Sequence, residues 1–127
     1  MFTQRWDDEA TIIVSYAGSQ CIIQASWNWP FSRKDMEIYG DDGYIVAMNN
    51  KEMRTRGKEM AAEKALTVTA SEVAVYEDPF RYFTDVIWGK IKEPKYGLYS
   101  LDNNLLVVKI LDAARTSAKS GRSVSVK

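Results

Sequence analysis

The segment Trp27-Asn28-Trp29-Pro30-Phe31-Ser32-Arg33-Lys34 holds the residue types best suited to chemistry on a ligand. Trp27 and Trp29 offer flat apolar walls, Asn28 an amide donor and acceptor, and Arg33 and Lys34 positively charged N–H donors. Sugar and polyol sites use such parts, because C–H faces stack on rings while hydroxyls need donors and acceptors. The competing reading is bulk. Tryptophans fill cores and interfaces, and single Arg and Lys side chains keep surfaces soluble. Both readings stay open on the residues alone. Tyr96 and Tyr99 form a weaker second aromatic candidate.

The chain contains no histidine, which removes Ser-His and Cys-His nucleophile pairs and His-ligated zinc. The glycines at 18, 40, 43, 57, 89, 97 and 121 form neither GxGxxG nor a phosphate-binding loop. Asp7, Asp8 and Glu9 are consecutive, so a strand alternates them across its faces, and a solvated strand start outweighs a metal cluster. Asp41 and Asp42 sit between glycines, where a turn outweighs chemistry. Cys21 falls on an apolar strand face and reads as a buried, inert thiol. As the single cysteine, it excludes an intrachain disulfide.

At 127 residues the chain has the length of one domain, residues 1–127. Hydrophobic residues make up 46% and charged residues 27%, ordinary for a globular domain. Lys+Arg and Asp+Glu are both 17, so no global field favours a nucleic acid, and little repulsion opposes self-association. No apolar run approaches the roughly 18 residues of a membrane span, and the N-terminus has no signal-peptide core. A cytoplasmic location is the default expectation.

The elements that must position the candidates follow from periodicity. Glu9–Tyr16 reads as a strand turning at Ala17-Gly18-Ser19. Cys21–Trp29 follows as a strand with Cys21, Ile23, Ala25, Trp27 and Trp29 on one face, ended by Pro30. Asp35–Tyr39 and Tyr44–Met48 form a hairpin about Gly40-Asp41-Asp42-Gly43. Glu52–Arg56 and Leu66–Thr69 read as short strands around a loop or helical turn at Lys58–Lys64. Ala70–Glu77 reads as an extended connector.

Asp78-Pro79 starts a helix with Phe80, Phe83, Ile87 and Ile91 on one face, stopped by Pro94. Ser100 caps a long last helix ended by Gly121, and Ser123–Val126 reads as a final strand. That helix carries two apolar stripes, one through Leu101, Leu105, Val108 and Leu111 and one through Leu106, Val107 and Ile110. Either it touches two bodies or it lies deep in its own domain. The fold class is α+β: an open, mainly antiparallel sheet of roughly five to seven strands with two α-helices on one face.

The stretches ASWNWPFSRKDMEIYGDDGYI and YGLYSLDNNLLVVKILDAARTSAKSGRSV resemble the C-terminal domain of the glucose-fructose oxidoreductase / inositol dehydrogenase family. The resemblance runs from about Asp8 to Val126. It implies a dihydrodipicolinate-reductase-like, or glyceraldehyde-3-phosphate-dehydrogenase-like, C-terminal domain that lines a substrate pocket and makes oligomer contacts through its sheet face. It further implies a sugar or polyol substrate, NAD or NADP held by a separate Rossmann domain, and pocket roles for Trp27, Asn28, Trp29, Arg33 and Lys34. The last helix would pack on the nucleotide domain.

The family's dinucleotide fingerprint, its Glu-Lys-Pro motif and its aspartate-histidine element have no counterpart in this chain. The chain therefore reads as a fragment beginning downstream of the active-site helix. It would hold no cofactor, no metal and no catalytic residue of its own. The alternative is a free-standing noncatalytic module for dimerisation or carbohydrate binding.

Overall fold

β-Branched residues and tight turns set the first hairpin. In the computed structural model, which describes residues 8–72, 76 and 78–126, β1 (Glu9–Ser15) pairs with β2 (Gln20–Ser26). The Tyr16 N–H donates to the Ser19 carbonyl at 2.9 Å and closes the turn. Asp7, the first of the three consecutive acids, lies outside the described residues. Cys21 is exposed, not buried, because its hairpin face carries no cover.

β2 stops at Ser26, three residues short of the expected end, so Trp27 and Trp29 do not share a strand face. The cause is local. The Trp27 N–H makes a last bond to the Asp8 carbonyl at 2.8 Å, after which Ser26 Oγ accepts the Asn28 N–H at 3.0 Å. A hydroxyl that captures the backbone two residues on bends the chain out of a ladder, and Pro30 cannot rejoin one.

β3 (Met36–Gly40), β4 (Gly43–Ala47), β5 (Glu52–Gly57) and β6 (Lys64–Thr67) form a four-stranded antiparallel sheet in that order. Asp41-Asp42 makes the β3–β4 turn, with Gly40 opposite Gly43. Gly43 has φ 152°, and a Cβ there would strike the Arg56 carbonyl oxygen, with Gly57 Cα only 2.9 Å away. Glycine is thus needed for β5 to lie against β4. Asn49 Oδ1 accepts the Lys51 and Glu52 N–H groups at 2.8 and 2.9 Å and sets the next turn. Lys58–Glu63 is a turn and loop, as its single bulky apolar residue suggests, and a 3₁₀ turn at Ala70–Glu72 interrupts the expected connector. Residues 73–75 and 77 of that connector lie outside the described residues.

The register sorts the sheet into two faces, since residues directly opposite share a face. One carries Met36, Ala47, Met53 and Leu66 in a row and Ile38, Ile45, Thr55 and Lys64 in the next. The other carries Glu37, Val46, Arg54 and Ala65, then Tyr39, Tyr44 and Arg56. The first is apolar and the second polar.

Helix α1 (Pro79–Ile87) begins where Asp78 accepts the Phe80 and Arg81 N–H groups, with Pro79 needing no partner for its nitrogen. It ends at Ile87, leaving Ile91 outside it. Gly89 adopts φ 70°, its N–H donates to the Val86 carbonyl, and the Lys90 N–H donates to the Asp85 carbonyl. That pair of bonds is a Schellman termination, and glycine permits it before Pro94 is reached.

Helix α2 (Leu101–Ser120) starts where Ser100 Oγ accepts the Asn103 N–H at 3.2 Å, with Asp102 in its first turn. It ends at Gly121, φ 65°, whose N–H donates to the Ser117 carbonyl. Residues 123–126 form no strand.

The α+β class stands, with antiparallel strands in sets of two and four and two helices. The chain divides into two compact units, Met1–Glu9 with Ala25–Val75 and Ala10–Gln24 with Tyr76–Lys127. Among the described residues no apolar side chain is buried, and Ser100, 7% exposed, is the single buried residue. No described helix is long and apolar enough to cross a membrane.

Candidate functional site

Arg33 and Lys34 reach a cavity of about 670 Å³ on the polar face of the four-stranded sheet. The Ser32–Asp35 loop bounds one side, Val46 and Met48 supply apolar floor, and Glu37 and Arg54 flank that floor from β3 and β5. The loop is held by one ion pair. Arg33 Nε donates to both Asp35 carboxylate oxygens at 3.0 and 2.8 Å, and Arg33 Nη2 donates to Oδ2 at 2.7 Å. These bonds raise the Arg33 pKa and hold the Asp35 carboxyl below its ordinary range. The guanidinium carbon also lies 5.9 Å from the centre of the Trp29 ring, within cation–π reach.

The expected residues divide accordingly. Arg33 and Lys34 line the cavity, and Trp29, 39% exposed, joins them through the Arg33 stack. Trp27, 89% exposed, and Asn28, whose N–H is engaged by Ser26, do not line it. Glu37, Val46 and Arg54 were not legible as site residues. Strand parity gives each a face, but only the register shows that the three faces are one.

The polar face is internally bonded. The Tyr39 hydroxyl donates to Glu37 Oε2 at 2.8 Å and the Tyr44 hydroxyl to Glu63 Oε2 at 3.0 Å. Both phenols consequently titrate above their ordinary value, since ionisation would break the bond and face a carboxylate. Arg54 approaches Glu63 at 3.6 Å. Such an array of donors, acceptors and one aromatic face can orient hydroxyls. It contains no nucleophile with an adjacent base.

A second cavity of about 890 Å³ belongs to the helical unit and is lined by Tyr76, Tyr82, Phe83, Pro94, Tyr99 and Leu101 among others. Tyr82 stacks with Tyr76 at 4.8 Å and with Tyr99 at 4.6 Å between ring centres. Tyr99 therefore takes part in an aromatic cluster. Tyr96, at φ 61°, instead lies 5.2 Å from the Lys95 ammonium.

Gly43, Gly89 and Gly121 serve close strand approach and helix ends, and no glycine-rich turn joins a strand to a helix among the described residues. A turn of that kind is what holds the pyrophosphate of a nicotinamide dinucleotide in the doubly wound α/β fold. No group of three or more His, Cys, Asp or Glu among the described residues stands ready to hold a metal ion. No protein-family model matches this chain, and no curated protein or solved structure matches it either.

Proposed function

We propose that this chain is the C-terminal domain of an NAD(P)-dependent oxidoreductase acting on a sugar or polyol. There it shapes the substrate pocket and the subunit contact, and it is not catalytic alone. The observation that carries the reading is helix α2. Leu101, Leu105, Val108 and Leu111 on one stripe and Leu106 and Val107 on the other are 41–74% exposed. A helix apolar on more than one side needs cover from more than one body, and a nucleotide-binding domain is a body of the right kind.

On this reading Trp29 gives the ring on which a sugar face stacks, and Arg33, fixed by Asp35, presents its remaining N–H groups to hydroxyls. Lys34 adds a mobile donor. Trp27 and Asn28, which do not line the cavity, carry no part of this reading. The cofactor, held by the other domain, supplies hydride exchange with a carbinol carbon.

The test is reconstitution with a separately expressed nucleotide-binding domain of the oxidoreductase family, followed by nicotinamide absorbance with a panel of sugars and polyols. Hydride transfer that requires both parts supports the proposal. No association at high concentration of both overturns it and leaves a free-standing dimerisation or carbohydrate-binding module.

A further inference from the structure

The cavity of about 890 Å³ has no part in the proposed function and shares no lining residue with the cavity at Arg33. Its lining falls within Tyr76–Lys127, which belongs to one compact unit. Three tyrosines form one wall. Tyr82 on α1 stands at 68° to Tyr76 and at 47° to Tyr99, so the rings meet as a corner and not as a flat stack. The face of an aromatic ring is the negative end of its quadrupole and attracts cations.

Among the described residues the charged groups of this lining are Glu93, Lys95 and Asp102. Glu93 is half-buried, and its carboxyl lies against Gly97: a Cβ there would strike Glu93 Oε1 and stand 3.0 Å from the carboxyl carbon. Two successive turns hold that backbone. The Gly97 N–H donates to the Pro94 carbonyl at 2.9 Å, and the Ser100 N–H donates to the Gly97 carbonyl at 3.0 Å. Neither Glu93 nor Asp102 belongs to an ion pair among the described residues, where the pairs are Arg33–Asp35, Arg54–Glu63, Lys90–Asp85 and Arg115–Asp112. The one cation of the lining is drawn off: the Lys95 ammonium sits 5.2 Å from the ring of Tyr96, which does not line the cavity. The N-terminus of α2 by itself favours an anion. There, however, Ser100 Oγ takes the Asn103 N–H and Asp102 supplies negative charge in the first turn.

We propose that this cavity binds a small organic cation, an alkylated ammonium group carried on an apolar body. The tyrosine corner receives the ammonium, Glu93 and Asp102 balance its charge, and Phe83 and Pro94 cover the apolar body. A primary ammonium is strongly hydrated, and ring faces do not replace that water; an alkylated one is the cation aromatic walls recognise best. Of the apolar stripe on α2 only Leu101 lines the cavity, so this surface and the one proposed to meet a second domain overlap at a single residue. The inference goes beyond the proposed function and does not depend on it.

Titration of the full chain with benzyltrimethylammonium, followed by calorimetry and by tyrosine ring resonances, tests it. Benzenesulfonate and benzyl alcohol serve as the anionic and neutral probes. The cation should bind about tenfold tighter than either. Equal or tighter binding of the sulfonate or the alcohol overturns the inference, and so does the lack of saturable cation binding at millimolar concentration.

Glu93→Gln keeps the shape of the side chain and should weaken the cation about fivefold at low salt, with benzyl alcohol unaffected. Tyr99→Leu should cost the cation about threefold beyond what it costs the alcohol. Gly97→Ala alters no charge, yet it should weaken the cation too, because the Glu93 carboxyl must leave its seat. Circular dichroism checks that helix content is kept. A Glu93→Gln chain with unchanged helix content and unchanged cation affinity overturns the proposal. Cation binding is read on this chain alone, so its failure leaves the reconstitution test of the proposed function untouched.

Discussion

On the polar face of the four-stranded sheet the side chains find partners within their own unit: Tyr39 with Glu37, Tyr44 and Arg54 with Glu63. Along α2 the apolar side chains find none that buries them. The contrast teaches that polar requirements are met over short distances, by a neighbour on the next strand or turn. Apolar requirements are met only by area, and area takes a second body. The sheet states its own register; the helix states only its ends.

The harshest way to break the sheet's side of the comparison is Gly43→Val. Its branched side chain would meet the Arg56 backbone, and we expect a loss of about 3 kcal/mol, read from the urea midpoint. An unchanged midpoint would mean that β4 and β5 do not approach as described.

Helix α2 is probed by Leu111→Gln, at a position 45% exposed. Without cover the substitution should change the chain's own stability by less than about 0.5 kcal/mol. Association with the nucleotide-binding domain should weaken by about 2 kcal/mol if that domain buries the side chain. Equal effects on both would place the leucine in the chain's own core.

Ser100→Ala removes the cap of α2 and should cost about 1 kcal/mol, with faster amide exchange at Asn103 as its signature. A cost without that local signature would assign the effect to packing around this buried serine.

The smallest effects lie in pH. The Tyr39 phenol is raised, so what its bond to Glu37 contributes is present below the ordinary tyrosine value of about 10 and lost as pH rises through the raised one. Glu37→Gln should lower that titration, followed by phenolate absorbance. Asp35 behaves oppositely: its contribution is complete above the ordinary carboxyl value of about 3.9 and lost as pH falls through the depressed one. Arg33→Gln should bring the Asp35 carboxyl resonance back toward that ordinary value.

What was legible in the residues was local. Asp78-Pro79 and Ser100 announced helix starts and Gly121 a helix end because a cap is made by atoms within four residues of one another. The hairpin about Asp41-Asp42 was legible for the same reason. Two extensions failed where a competing local bond won: Ser26 Oγ turned the chain before Trp29, and Gly89 closed α1 before Ile91. Both signals were present in the sequence but weaker than the periodicity that ran through them. The final strand failed because a strand needs a neighbour, and residues 123–126 have no ladder partner among the described residues. In the candidate site, Arg33 and Lys34 were found from residue type and loop position. Glu37 and Arg54 were missed because they are 17 positions apart and meet one cavity only through β4.

The sequence by itself determined the α+β class, the helix caps, the tight turns and the absence of histidine chemistry, since each depends on composition or on residues a few positions apart. The tertiary structure decided which strand faces coincide, that the Arg33–Asp35 pair stiffens the loop over them, and that α2 finds no burial among the described residues. Those outcomes depend on register and on area, and both are set by residues far apart in the chain.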